Sequence, residues 1–205
     1  MVDIQYASLL LLAYLSGSIS SAILICQLMT LPDPRIVGSG NPGATNVHRI
    51  GGKLAALATL IGDLLKTAVP IAVAIYLDYP PFWVAWVGVC ALLGHCFPIY
   101  YRFKGGKGVA SMFAVLVLVG PKLSPLAIGS WIILAWSFKR SSVASIITAV
   151  VVPSFAYQFA NELFIPLSAL SAIVVLRHRK NFANIIAGKE PIIGVKAGPK
   201  SPENH

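Results

Sequence analysis

Residues 37–49 read Val37-Gly38-Ser39-Gly40-Asn41-Pro42-Gly43-Ala44-Thr45-Asn46-Val47-His48-Arg49, a polar island between two apolar runs, Ile4 to Met29 and Leu54 to Leu77. The flanking runs decide the fold class, because each is long enough to cross a bilayer as a helix, which takes about 20 apolar residues. The island itself cannot bury a core. Its glycines let successive backbone N–H groups converge on one point, and Ser39, Asn41, Thr45 and Asn46 add donors, a combination that makes an anion-binding nest. Arg49 supplies a planar, permanently charged fork suited to phosphate or carboxylate. A flexible turn between membrane helices would account for the glycines, but not for the crowd of donors or for the arginine.

Composition agrees with a lipid-embedded chain. Of 205 residues, 57% are hydrophobic and 11% charged, and the mean hydropathy is +0.78. A soluble domain carries about 25% charged residues, so lipid covers most of this surface. The formal net charge of +9 would raise nucleic acid as a partner of a soluble protein. Here the basic residues stand in short loops between apolar runs, where membrane orientation explains them and no nucleic-acid partner is expected. Cys26, Cys90 and Cys96 lie inside apolar runs without C-x-x-C spacing, and read as small buried hydrophobes rather than a disulfide frame or zinc site. The start has Asp3 and no basic n-region, so the first apolar run is expected to stay in the membrane rather than be cleaved.

Further apolar runs are Phe82 to Ile99, Val109 to Val119, Leu126 to Phe138, Val143 to Ala160 and Phe164 to Leu176. The expected architecture is therefore an all-α integral membrane protein, a seven-transmembrane-helix bundle. The two short middle runs, 109–119 and 126–138, are possible re-entrant segments. With the N-terminus outside, the inner loops hold Arg35, Arg49 and Lys53; Arg102, Lys104 and Lys107; Lys139 and Arg140; and the cations from Arg177 through Lys196 and Lys200. The outer loops hold only Lys122. That asymmetry places the C-terminus in the cytoplasm. A single membrane-embedded domain is expected over 1–188, followed by a polar cytoplasmic tail over 189–205. In the first run, Ala13, Gly17 and Ser21 recur every four residues, a small-residue face that lets helices approach closely.

Two more polar segments fall on the same side. Gly94-His95-Cys96-Phe97-Pro98 leads to Phe103-Lys104-Gly105-Gly106-Lys107-Gly108, where two lysines flank a Gly-Gly pair at a helix start. Mobile positive charge and free N–H groups at the positive end of a helix make a second anion site. The third segment, Arg177-His178-Arg179-Lys180-Asn181, closes the last run and opens a short amphipathic stretch. Alone it would also suit a lipid-surface anchor; beside Arg49, Lys104 and Lys107 it completes a ring around one phosphate-rich ligand. Ser141, Ser142 and Ser145 crown the neighbouring helix end, as caps or as ligand hydroxyls. Inside the second run, Asp63 and Lys66 lie one helical turn apart. A membrane-buried charge costs about 2.5–3.5 kcal/mol on insertion scales, so this pair is expected to face the bundle and neutralise itself, as a structural pair or as a buttress of the site.

Some chemistry is absent from the sequence. Gly38 and Gly43 have Walker A spacing, yet Ala44 takes the lysine position and no strand precedes it, which excludes ATP hydrolysis. There is no G-x-S-x-G, no H-E-x-x-H and no His followed five residues on by Asp. Among the inner loops the one carboxylate near a histidine is Asp33, which precedes Pro34, so no general base is legible. No metal site or cofactor is expected.

In these three segments the chain resembles the bacterial acyl-phosphate:glycerol-3-phosphate acyltransferases, the PlsY family of polytopic membrane enzymes. The resemblance runs from about Ala13 to Gly188. It rests on G-S-G-N-P-G-A-T-N-V-H-R at Gly38 to Arg49, on G-H-C-F-P and F-K-G-G-K-G-V-A within Gly94 to Ala110, and on R-H-R-K-N at Arg177 to Asn181. It implies acyl transfer from acyl phosphate to the 1-hydroxyl of glycerol 3-phosphate, giving lysophosphatidate and inorganic phosphate. It also implies a multi-pass protein of the bacterial inner membrane whose site faces the cytoplasm, with membrane lipids as surroundings and a monomeric state. By the same resemblance, Ser39, Arg49, Lys104 and Asn181 are the expected catalytic residues. Gly40, Asn41, Gly43, Thr45, Asn46, Lys107, Ser142 and His178 are the expected substrate- and phosphate-binding residues. A phosphate is thought to take the proton of the attacking hydroxyl in that family, which suits the missing base. Thr67 departs from the glycine often seen after the family's lysine, which leaves the local packing open. The competing reading, a transporter of an organic phosphate, would need internal repeats and broken helices in matched halves, and no convincing repeat is present.

Overall fold

The computed structural model describes residues 4–194, so residues 195–205 of the expected polar tail, Lys196 and Lys200 among them, lie outside the described residues. Among the described residues all regular structure is helical: α1 (Ile4–Gly17), α2 (Ser21–Leu28), α3 (Ala44–Tyr76), α4 (Pro81–Cys96), α5 (Val109–Val119), α6 (Ser124–Phe138), α7 (Ser141–Phe159), α8 (Phe164–Arg177) and α9 (Arg179–Ile186). Four segments are long and apolar enough to cross a membrane: Ile4–Leu28, Ala44–Tyr76, Pro81–Tyr101 and Ser141–Phe159. The helices α5 and α6 are shorter apolar elements, and α8 has 14 residues. The exterior is what lipid requires. Along α3, Leu57, Ile61, Leu65 and Val69 recur every four residues and are all exposed, a stripe with no aqueous role.

The first run is one span broken in the middle. Helix α1 stops at Gly17 and α2 restarts after Ser20, whose hydroxyl accepts from the Ile23 N–H at 3.5 Å. The break strips Ile19 of its helical carbonyl partner, and Lys66 of α3 supplies one: its Nζ donates to Ile19 O at 2.7 Å. The same ammonium pairs with Asp63 Oδ1 at 2.9 Å, with the two side chains 7% and 4% exposed. Two intramembrane charges thus cancel each other and mend a neighbouring helix. His95 of α4 stands beside them, its Nδ1 3.6 Å from Asp63 Oδ1.

The small residues do the expected work. Ala13, Gly17 and Ser21 are all buried, and α1 packs more extensively on α4 than any other pair of helices packs. A Cβ at Gly17 would strike the Ala91 backbone, and one at Gly94 the Tyr14 carbonyl, so the two backbones touch. Thr67, the departure from the family pattern, is fully buried, and its hydroxyl donates to Ser111 Oγ of α5 at 2.9 Å. The extra side chain is accommodated by a hydrogen bond across the α3–α5 contact. The main core joins Ile71, Leu92, Val115, Leu116, Leu167 and Leu170 from α3, α4, α5 and α8.

Candidate functional site

Helix α3 begins earlier than the sequence suggests. The polar island is not all loop: Gly43 is the N-cap, and Ala44 to Arg49 form the first turns of a 33-residue helix. A straight helix of that length would be about 50 Å long, against a hydrocarbon core of about 30 Å. Gly52 resolves the excess. It is non-helical within the run, with φ 78° and ψ −167°, a conformation that excludes most side chains, and the short amphipathic start is thereby set off from the span. Asn46 makes the loop. Its Oδ1 accepts from the Ser39 N–H at 2.9 Å, and its Nδ2 donates to Pro34 O at 2.9 Å and Val37 O at 3.1 Å. The amide is committed to holding the island in shape and is buried. Arg49, one turn further on, is half-buried, and its buried Nε has no hydrogen-bond partner among the described residues.

The second segment is held from both sides. The Gly106 N–H donates to His95 O at 3.0 Å. From the end of α8, Arg177 donates through Nη2 to Gly105 O at 2.7 Å and through Nε to Gly106 O at 3.0 Å, while its guanidinium stacks 5.0 Å above the Phe97 ring. Glycine is obligatory at both positions for space. A Cβ on Gly105 would meet the His95 and Cys96 carbonyls, and one on Gly106 would enter the His95 imidazole. The loop is therefore a thin backbone layer pressed between α4 and Arg177. It leads to Lys107, whose ammonium burial pushes down to about 8, with Arg49 and Arg177 adding to the fall and Glu190 opposing it.

The third segment brings the acceptors. His178 is 2% exposed, and its Nδ1 lies 2.8 Å from Val174 O. A carbonyl can only accept, so Nδ1 carries the proton and Nε2 keeps a lone pair. Burial pushes His178 down to about 4, so the ring is neutral at pH 7. Asn181 is the one buried residue of α9. Its Nδ2 donates to Glu190 Oε1 at 2.7 Å, and the Ser142 hydroxyl donates to the same oxygen at 2.6 Å. The chain after α9 turns back onto the bundle: Arg140 Nε donates to Glu190 O at 3.1 Å, and the Ile193 N–H donates to Lys139 O at 2.8 Å.

The expected residues thus divide. Ser142, Asn181 and Glu190 are in direct contact, and the Glu190 charge reaches Arg49, Lys107 and His178. Four distant segments converge on one place. Ser39, Thr45 and Lys104 have exposed side chains, and Lys104 makes no side-chain hydrogen bond or ion pair among the described residues. Gly40, Asn41 and Gly43 lie in the island, where Gly40 adopts φ 70°. Two participants were not legible in the sequence. Arg177 reads as one of several terminal cations until its two carbonyl contacts are seen. Glu190 overturns the expectation that Asp33 is the one carboxylate near a histidine. It stands beyond Gly188 in a basic segment, and nothing in its spacing from His178 or Ser142 links it to them. Asp33, by contrast, is taken up by Arg35, with Oδ2 2.6 Å from Nη2.

Comparison with known proteins gives one consistent answer. Residues 7–188 match the family model described as glycerol-3-phosphate acyltransferase. A glycerol-3-phosphate acyltransferase of Proteus mirabilis is 47% identical over 193 residues, 94% of this chain and 88% of the relative. One of Vibrio cholerae is 43% identical over 189 residues, covering 92% and 91%. Two solved structures of PlsY, an integral membrane glycerol 3-phosphate acyltransferase, superpose on the chain. The glycerol 3-phosphate form does so with TM-score 0.87 and 30% identity, the lysophosphatidic acid form with 0.84 and 29%; each covers 93% of this chain and 96% of the other.

Proposed function

The chain belongs to the glycerol-3-phosphate acyltransferase family, and from that premise we propose how its polar face carries out the reaction. The protein is an acyltransferase of a bacterial membrane that acylates the 1-hydroxyl of glycerol 3-phosphate, yielding lysophosphatidate. The donor is acyl phosphate. The hydroxyl oxygen attacks the acyl carbonyl carbon, the bond from that carbon to the phosphate oxygen breaks, and inorganic phosphate leaves with the hydroxyl proton. Seven crossings with the N-terminus outside put the site on the cytoplasmic side of the inner membrane, as the positive residues require, and the bundle acts as a monomer.

The observation that carries this reading is the convergence of Arg49, Lys107, Ser142, His178 and Asn181 around one place. Phosphate has acceptors only, and the site has matching donors: the unpartnered Arg49 Nε and the Lys107 ammonium. The glycine layer at 105–106 and the island at 38–43 offer backbone N–H groups for the second phosphate. Ser39 and Lys104, exposed in the free protein, close on the substrates from the loop side, and Thr45 and Asn41 widen the same rim. Fixed donors of this kind typically contribute the largest single share in acyl transfer, about 2.7–4 kcal/mol for each one removed. Positioning of two phosphates beside one carbonyl supplies much of the rest. The test is phosphate release by detergent-purified protein, with no vesicle present, from acyl phosphate and glycerol 3-phosphate. A transporter would release none. Arg49→Lys removes the bidentate fork but keeps the charge; unchanged turnover and affinity in that variant would remove Arg49 from the site.

A further inference from the structure

The site holds more acceptors than an anion can use. Three buried polar atoms in and around it have no hydrogen-bond partner among the described residues: Arg49 Nε, Asn181 Oδ1 and Glu190 Oε2. The first is a donor and suits phosphate. The other two are acceptors, each one atom over from the hydrogen bond that joins Asn181 Nδ2 to Glu190 Oε1. His178 adds a third acceptor, because its Nδ1 proton is spent on Val174 O. A buried acceptor without a partner is costly, and a phosphate dianion placed against it would be repelled. What such a group selects is a neutral donor, which in a phosphorylated polyol means a hydroxyl.

We propose that Glu190 is a specificity-determining residue that accepts a hydrogen bond from a hydroxyl of the glycerol backbone through Oε2, with Asn181 Oδ1 beside it. The inference rests on the function proposed above and divides its site in two. Arg49 and Lys107 hold the phosphate end of the substrate, and the Asn181–Glu190 pair reads the polyol end. The geometry that makes this possible is the return of the chain after α9. Arg140 fixes the Glu190 carbonyl, the Ile193 N–H ties down the following residues, and Ser142 and Asn181 occupy Oε1. Only Oε2 is left to a ligand. Glu190 is 7% exposed, so water competes poorly for it.

Glu190→Gln isolates the claim. The amide oxygen can keep the Ser142 and Asn181 contacts, and the amide nitrogen then replaces Oε2, turning this residue's open acceptor into a donor. Binding to detergent-purified protein is measured by calorimetry for glycerol 3-phosphate, for 3-hydroxypropyl phosphate and 2-hydroxypropyl phosphate, which each lack one hydroxyl, and for n-propyl phosphate, which lacks both. In the wild type, n-propyl phosphate is expected to bind about 10- to 100-fold more weakly than glycerol 3-phosphate, the range for leaving a buried polar group unpaired. In Glu190→Gln, the lost charge shifts all four ligands together, while the difference between glycerol 3-phosphate and n-propyl phosphate shrinks to less than about threefold and one of the monohydroxy analogues loses its penalty. Should Glu190→Gln not fold, the comparison of the four ligands on the wild type remains the readout, with the penalty expected for n-propyl phosphate and for one of the two monohydroxy analogues. Equal weakening of glycerol 3-phosphate and n-propyl phosphate would mean that Glu190 only supports the fold, and would overturn the proposal. So would a wild type that binds the two ligands equally, since the acceptors would then have no hydroxyl to read. A wild type that binds none of the four overturns the proposed function itself, a result distinct from either.

Discussion

Arg177→Lys is the substitution that most directly tests how the glycine layer is held. In the native protein one guanidinium donates to two successive carbonyls, Gly105 O at 2.7 Å and Gly106 O at 3.0 Å, and stacks on Phe97 at 5.0 Å. A lysine ammonium retains the charge but is a point donor on a flexible stem. It reaches one of the two carbonyls and leaves the other unpaired. Losing one hydrogen bond from a charged donor costs about 1.5–3 kcal/mol, and weakened stacking adds about 0.5–1 kcal/mol. Taking about 2–3 kcal/mol as the net, and about 1.4 kcal/mol per tenfold, kcat/KM for glycerol 3-phosphate should fall by about 30- to 150-fold. The fall should lie mainly in KM and in a weakened product inhibition by inorganic phosphate, because in the proposed function the layer and Lys107 beyond it hold phosphate rather than react. The assay is phosphate release over a matrix of both substrates, alongside a melting curve of the same preparation. A kcat/KM within about threefold of wild type would refute the clamp. So would a lowered melting temperature with KM unchanged, which would make Arg177 a fold residue alone.

Three further outcomes are expected. Because burial brings the Lys107 ammonium to about 8, the group is cationic below that pH and neutral above it; kcat/KM, which reports the free enzyme, should fall about tenfold per pH unit beyond it. Lys107→Arg should abolish that limb, and a profile flat to pH 9.5 in the wild type would contradict the assignment. Asp63→Asn strands the Lys66 ammonium inside the membrane, and breaking a buried pair from one side costs about 3–5 kcal/mol; the melting temperature should drop clearly, whereas Asp63→Asn with Lys66→Met should recover part of the loss. Gly106→Ala drives a methyl group into the His95 ring, an overpacking worth about 1–3 kcal/mol, and should raise KM for glycerol 3-phosphate with kcat less affected; equal KM values would show that the layer yields.

How much was readable beforehand depends on the range of the interaction concerned. The membrane class, the small-residue face of α1 at Gly17 and the Asp63–Lys66 pair follow from local pattern, since each needs only residues within a few turns of one helix and a lipid solvent that punishes unpaired charge; that α4 is the helix packed on that face does not. Thr67 was ambiguous in sequence, because the hydroxyl that receives its hydrogen bond, Ser111, belongs to another helix. The island at 37–49 reads in sequence as one polar segment between two apolar runs, and its division is not legible there. Gly-rich composition does not reveal that Ala44 starts a helix, nor that Asn46 spends its amide on Pro34, Val37 and Ser39.

The sequence by itself determined that three cationic, glycine-bearing segments lie on one side of a lipid-embedded bundle, because hydropathy and charge placement are properties of each segment alone. Only the tertiary structure decided which of their side chains meet. Lys107 rather than Lys104 joins Arg49 and His178, and Arg177 turns inward to the glycine layer. Glu190 reaches Ser142 across 48 positions of chain. Such meetings are set by helix packing and by where the chain turns back, and a direct contact between residues that far apart leaves no periodic trace along the chain.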